Sequence, residues 1–306
     1  MEYRQLKYVL KVAEEKSFSL AAKKLYISQP SLSQLILKLE EKIGSSLFDR
    51  NCTPLKLTYV GEMYIEMARQ IIDLSDQFTK KVDDTVNLRR GRLTIGSSPF
   101  RNTYFLSQVI PVFKYNFPGI ELILREDTTR QLEEFARDGL TDFSLSLLPI
   151  NTNTFDYEEL FQEKILLALP PNHPLCLKFD RHPGDYKNLP IIKLQEVCDT
   201  PFILMNQGQK LQQTLFDLCD KAHFKPRILL ETQSMDAAQA LVGAGMGAAL
   251  LPDTLVRANQ PHKSPCYFAL TDTPPRTVII IYRKGRYLSK PAVEFISLLK
   301  EFLQKT

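Results

Sequence analysis

No apolar run in this chain approaches the roughly 18 residues a membrane span requires, and the first helical stretch, MEYRQLKYVLKVAEEK, mixes acids and bases with no apolar signal segment. A cytoplasmic protein with no membrane association is therefore expected. The five cysteines, Cys52, Cys176, Cys198, Cys219 and Cys266, are odd in number and scattered without a Cys-x-x-Cys pair, which argues against a disulfide frame or a zinc site. They read as small apolar residues. The four histidines, His173, His182, His223 and His262, have neither a paired nucleophile nor metal-ligand spacing, so no metal centre is expected. Internal repeats and low-complexity tracts are missing as well.

What is present is a soluble globular composition, 44% hydrophobic and 24% charged, over 306 residues, more than one ordinary core and enough for two or three units. The formal net charge of +4 is confined to one end. Residues 1–58 hold ten Lys/Arg against six Asp/Glu, which already gives +4, so the remainder balances to zero. A positive surface limited to the first unit fits a polyanionic partner there.

Apolar positions at helical spacing mark three short helices: Leu6, Val9, Leu10 and Ala13; then Ala21, Ala22 and Leu25; then Leu32, Ile36, Leu39 and Ile43. Ser28 suits an N-cap, Pro30 suits a first helical turn, and Gly44 suits a stop. LFDR and LKLT follow as two strands around the turn Asn51-Cys52-Thr53-Pro54, a wing-like hairpin. Residues 58–88 then form one long predicted helix, about 45 Å at 1.5 Å per residue. Its stripe of Tyr64, Met67, Ile71, Leu74, Phe78 and Val82 has no neighbouring helix in sequence to cover it, so a second copy of the chain is the expected cover. Arg89-Arg90-Gly91-Arg92 marks a boundary.

Beyond it, short apolar runs alternate with helical segments, from RLTIG through IELIL, FSLSL, ILLAL, PFILM, RILLE, GAALL, YFAL and TVIIIY to a final helix near 291–304. This α/β texture restarts at ILLAL after a loop at 149–157, which suggests two lobes. The expected organisation is a DNA-binding winged helix-turn-helix over 1–58, a linker helix over 59–90 and a two-lobed domain over 91–306. Lobe I would take about 91–161 and 266–306, and lobe II about 162–265.

The third helix decides the chemistry. Opposite its apolar stripe stand Pro30, Gln34, Leu37 and Lys38, flanked by Ser31 and Ser33, with Gln29 at the tip and Ser28 before it. Gln can bond both N6 and N7 of adenine, Ser can donate or accept at most bases, and apolar groups can meet the thymine methyl. A plain solvated helix would also carry Ser and Gln. The whole stretch SFSLAAKKLYISQPSLSQLILKLEEKIGSSLFDRNCTPLKLT resembles the DNA-binding signature of the LysR-type transcriptional regulators, and PVFKYNFP, NHPL and LVGAGMGAALLP resemble later parts of that family. The resemblance implies a winged helix-turn-helix, a dimerising linker helix and an effector domain akin to periplasmic solute-binding proteins, assembled as dimers and tetramers on a pseudo-palindromic operator in double-stranded DNA. RNA polymerase is a further candidate partner. By the family pattern Gln29, Pro30, Ser33 and residue 34 face the major groove, with Arg50 and the wing near the backbone. Position 34, commonly Arg in the family, is Gln34 here, and the wing lacks its usual basic residues.

Ligands of such α/β units bind at strand carboxyl ends near helix N-termini. Here those ends carry Ser97, Ser98 and Arg101 after the first strand of the α/β region, and Thr128 and Thr129 after the second. The resemblance places effector contacts at these two points, near Leu148 and at Pro201-Phe202. Free hydroxyls and N–H groups favour a small anion such as a carboxylate, with Arg101 as counter-ion. The same hydroxyls equally suit N-caps, and Arg101 could point outward.

Three rival functions are open to such a chain. An enzyme would find its foothold in Gly243, Gly245 and Gly247, but this run follows a helix and opens a strand, the reverse of a dinucleotide fingerprint. A solute-binding protein of transport does not explain the helix-turn-helix. A DNA-binding regulator without an inducer differs only in lacking a ligand response.

Overall fold

The structure, a computed structural model, describes residues 2–85, 91–271, 273 and 275–305. The chain divides into two compact units, one of residues 1–88 with 138–140, the other of 89–137 with 141–306. The last residues expected in the linker helix and the Arg89-Arg90 part of the expected boundary lie outside the described residues.

The first unit runs α1 (Tyr3–Glu15), α2 (Phe18–Lys24), α3 (Gln29–Ile43), β1 (Phe48–Asp49), β2 (Lys56–Leu57) and α4 (Tyr59–Thr85). The second and third helices begin where a side chain satisfies one of the first N–H groups. Ser17 accepts from Leu20 N–H, Ser28 accepts from Ser31 N–H, and Gly44 ends α3 at φ +80°, a backbone state that costs glycine little. Val9, Val12, Ala21, Leu32, Ile36 and Leu39 form one core with Ile65 of α4. Each fully buried aliphatic chain of this kind contributes about 1.5–3 kcal/mol.

Two sequence expectations fail here. Ile43, expected inward, is exposed, because α3 has run past the core by its last turn and Glu40 is buried instead. Tyr64, expected on the outward seam of α4, packs against the core of its own unit. Met63 stands exposed in its place, with Met67, Leu74, Phe78 and Val82, while Ile71 is half-buried. The first turn of α4 sits so close to the start of the wing that a Cβ on Gly61 would lie 2.0 Å from the Leu47 carbonyl oxygen.

The second unit opens with β3 (Gly91–Ser97), α5 (Pro99–Arg101), a π-helical turn (Asn102–Leu106), α6 (Ser107–Asn116), β4 (Ile120–Glu126), α7 (Thr129–Arg137), β5 (Phe143–Leu147) and β6 (Phe155–Glu163). It crosses at Lys164 into a second lobe of β7 (Ile165–Leu169), α8 (Pro174–Lys178), β8 (Ile191–Ile192), β9 (Phe202–Met205), α9 (Lys210–Lys221), β10 (Ile228–Thr232), α10 (Met235–Gly243), β11 (Ala249–Pro252), α11 (Asp253–Ala258) and β12 (Cys266–Leu270). It then returns to β13 (Arg276–Arg283) and α12 (Lys290–Lys305) in the first lobe.

The first lobe holds a five-stranded sheet in the order β4-β3-β5-β13-β6, parallel among β4, β3 and β5 and antiparallel at β13 and β6. The second holds β11-β7-β12-β8 and the parallel pair β9-β10. Cys266–Leu270, expected in the first lobe, pairs with β7 and belongs to the second. β6 is an edge strand that the sequence reading passed over, since its alternating DYEELFQE shows no apolar run and its start falls inside the expected 149–157 loop. Glu163 ends β6 and Arg276 begins β13, paired in register, so the two lobe crossings leave the sheet side by side.

Candidate functional site

On α3 the residues opposite the core stripe are open to solvent. Gln29, Pro30, Ser31, Gln34 and Lys38 are exposed and Ser33 is half-buried. Two pairs pre-order this face: Ser28 Oγ lies 2.7 Å from Ser31 Oγ, and Gln29 Nε2 donates to Ser33 Oγ at 2.9 Å. Gln34 and Lys38 stand exposed on the same face and make no such pair among the described residues. Tyr26, in the turn before α3, has φ +55° and is 94% exposed, an aromatic that pattern reading passed over because it sits in no periodic stripe.

Arg50 lies at the wing, where a contact to the DNA backbone is expected, and it also has partners within its own unit. Its guanidinium donates to Glu40 Oε2 at 2.8 Å and lies over the Phe18 ring at 5.2 Å. It therefore ties the wing to α3 and α2.

The second unit holds a cavity of about 740 Å³ between its lobes. Ser98, Arg101, Thr128 and Thr129, all singled out in the sequence, line it. Ser98 Oγ accepts from Arg101 N–H at 3.4 Å and Thr128 Oγ1 from Gln131 N–H at 3.4 Å, so both hydroxyls are N-caps as well as cavity lining. The N-terminal turns of α7, α9 and α10 meet there through Thr129, Lys210 and the Ser234 cap. Three helix dipoles thus favour negative charge in this space.

Arg101 does not point outward. It is 4% exposed, and its guanidinium faces Glu163 at 3.5 Å. Glu163 is fully buried and takes Arg276 at 2.6 Å and the Thr254 hydroxyl at 3.1 Å. Burial pushes the Arg101 guanidinium below its ordinary pKa, an effect that Glu163 opposes and Arg276 reinforces. Two guanidiniums on one carboxylate leave this floor with a net positive charge, and Nε of both arginines is buried without an acceptor. Glu163 and Arg276 carry little sequence signal, each being a charged residue close to an apolar run that flanks a lobe crossing.

Lys210 and Tyr104 join the lobes beside the cavity. Lys210 carries its ammonium to Glu133 at 3.0 Å and to the carbonyls of Pro149, at 2.9 Å, and Leu147. Tyr104 donates its hydroxyl to Asp236, and burial together with this bond pushes the phenol up to about 12.

The other four expected effector contacts lie elsewhere. Ser97 is fully enclosed as the last residue of β3, so the cavity is reached by its successor Ser98. Leu147 lines the cavity, and the alternation of an extended chain puts Leu148 in a separate hollow with Pro149 and Thr277. Phe202 belongs to the second lobe's apolar core, and the Pro201 carbonyl accepts from Ala248 N–H. That carbonyl would lie 2.5 Å from a Cβ on Gly247, and the Lys263 carbonyl 1.7 Å from one on Gly243. Close packing from helix to strand therefore explains Gly243 and Gly247, while Gly245, with nothing near its Cβ position, answers to its φ of +96°.

Comparison with known proteins agrees with both halves. Residues 3–62 match the model of the bacterial regulatory helix-turn-helix protein, lysR family, and residues 87–304 match the LysR substrate binding domain. The chain belongs to the LysR family of transcriptional regulators. It is 33% identical to the transcriptional dual regulator GltC of Bacillus subtilis, over 100% of this chain and 98% of that protein. Among solved structures it resembles full-length OxyR C199D from Pseudomonas aeruginosa, with a TM-score of 0.71 and 22% identity, covering 99% of this chain and 95% of that one. It also resembles full-length CbnR complexed with its target DNA, at a TM-score of 0.62 and 22% identity, covering 98% and 99%. These two likenesses establish the fold. A LysR-type regulator with a DNA-binding head and an effector-binding domain is not an enzyme, and none of its described helices is long and apolar enough to cross a membrane.

Proposed function

We propose that this LysR-type regulator reads a pseudo-palindromic operator through paired α3 helices and answers to a small carboxylate-bearing effector held between the lobes of its second unit. The observation that carries the reading is Arg101: a guanidinium 4% exposed, on the floor of a 740 Å³ cavity toward which three helix N-termini turn. A carboxylate there would meet the spare positive charge, the unsatisfied Nε groups and the helix dipoles together. Because Lys210 and Tyr104 reach across the cavity rim, a bound effector would favour one lobe spacing, and operator affinity shifts only by its differential affinity for the two states.

Dimerisation is assigned to the exposed α4 face of Met63, Met67, Leu74, Phe78 and Val82, with tetramers formed from such dimers and RNA polymerase as a further partner. A cytoplasmic location follows from the DNA target. The test is a carboxylate metabolite screen for thermal stabilisation of the full chain, followed by gel-shift titration of operator DNA with each hit. Stabilisation scales as the logarithm of free ligand over Kd. A hit should shift operator affinity, and a screen with no stabilising compound favours a regulator without an inducer.

A further inference from the structure

The charges around the inter-lobe cavity are separated by depth. At the bottom lie Arg101, Arg276 and Glu163, all nearly inaccessible, with one positive charge in excess. At the mouth stand Glu126, Asp127 and Asp236, with Glu126 exposed and both aspartates half-buried. Among the described residues these three carboxylates take only neutral donors. Glu126 accepts from Asn102 Nδ2 at 2.5 Å, Asp127 from Thr128 N–H at 2.7 Å, and Asp236 from the Tyr104 hydroxyl and from Asn259 Nδ2 at 3.3 Å. Lys210, the remaining cation of the lining, is paired with Glu133 outside it.

A positive floor beneath a negative mouth discriminates among ligand classes. A dicarboxylate could seat one end on Arg101 but would bring the other toward Asp127 and Asp236, where like charges repel. A simple amine would meet the arginines. A molecule carrying a carboxylate and an ammonium on one small frame satisfies both ends and adds no net charge to a low-dielectric space. We propose that the effector is a zwitterion of the amino acid class, its carboxylate on the Arg101 floor and its ammonium between Asp127 of the first lobe and Asp236 of the second. This rests on the reading of the cavity as the effector site. It also gives lobe spacing a chemical cause: one ammonium drawing an acid from each lobe holds the two together, which a carboxylate alone would not do.

The test uses the full chain with the twenty L-amino acids, each beside its analogue lacking the amino group and its analogue lacking the carboxylate, in thermal shift and then calorimetry. At least one amino acid should bind about ten- to a hundredfold more tightly than either of its analogues, as expected for loss of one charged hydrogen-bonded contact. Asp127→Asn and Asp236→Asn, which keep an oxygen for the Thr128 N–H and the Tyr104 hydroxyl, should each weaken that amino acid about tenfold or more while leaving the affinity of its des-amino analogue unchanged. A des-amino carboxylate that binds as tightly as its amino acid overturns the zwitterion and leaves the effector reading standing. An amino acid that binds both variants as well as wild type sits elsewhere and overturns the assignment. If none of the probes shifts the melting temperature, the amino acid class is wrong, and the effector reading is decided separately by the wider carboxylate screen.

Discussion

Glu40 of the reading helix holds Arg50 of the wing at 2.8 Å with one carboxylate oxygen, while the other accepts the Leu47 N–H at 2.8 Å. The reading helix and the wing are thus set against each other by a buried carboxylate.

If Arg50 acts through this pair, Glu40→Gln should weaken operator binding even though it raises the net charge of the DNA-binding head. Arg50→Ala should do the same, and the double variant should be no worse than either single one. With Arg50 39% exposed the pair itself is worth at most about 1 kcal/mol of stability, whereas Glu40→Ala should cost about 1–3 kcal/mol by orphaning backbone donors. Fluorescence anisotropy at two salt concentrations separates the alternatives: if Glu40→Gln tightens binding and steepens the salt dependence, Arg50 meets phosphate directly.

Gln34 stands exposed on the face opposite Leu32 and Ile36 and should read a base edge. Gln34→Ala should lose about 1–3 kcal/mol on operator DNA and little on random DNA. Equal losses on both would make Gln34 a positioning contact.

The α4 face and its inward neighbour should respond oppositely. Leu74→Asp or Phe78→Asp, at positions 67% and 68% exposed, should lower the oligomeric mass seen in sedimentation while the DNA-binding head keeps its melting temperature. Tyr64→Ala should destabilise that head by about 1–3 kcal/mol and leave the mass unchanged. Unchanged mass in both Asp variants would move the pairing surface off α4.

His173 caps α8 with Nδ1, which accepts the Leu175 N–H at 3.3 Å, and its Nε2 lies 3.0 Å from Thr200 Oγ1. Burial lowers its pKa below the usual 6.5, so near and below that value the unfolded chain binds more protons than the folded one. The cap's contribution is therefore complete above about pH 6.5 and declines as the pH falls through that value toward the folded pKa. His173→Asn keeps a capping acceptor and removes the titration. Denaturant midpoints at about pH 7.5 and about pH 5 should differ less for this variant than for wild type; an undiminished difference would assign the effect to other groups.

The local elements follow from residues close together in the chain. Ser28, Pro30 and Gly44 start and stop α3, and the spacing of Leu32, Ile36 and Leu39 chooses its inward face, so the reading surface follows from residues within two turns of one another. Ser98 and Thr128 were legible at the cavity for the same reason, since N-caps lie where strands hand over to helices. Tertiary structure alone decided what depends on distant partners. Glu163 is matched with Arg276 across 113 residues of chain that include the whole second lobe, and with Arg101 from the opening of its own lobe, and no periodicity encodes such a meeting. Tyr64 and Ile43 went astray because a stripe specifies a helix face but not where the neighbouring core ends. Phe202 was drawn into the second lobe's interior because enclosing a phenyl ring gains more than lining a polar cavity. Burial and charge pairing are properties of the assembled lobes, and they fix which of the hydroxyls and charges present in the sequence come to face one cavity.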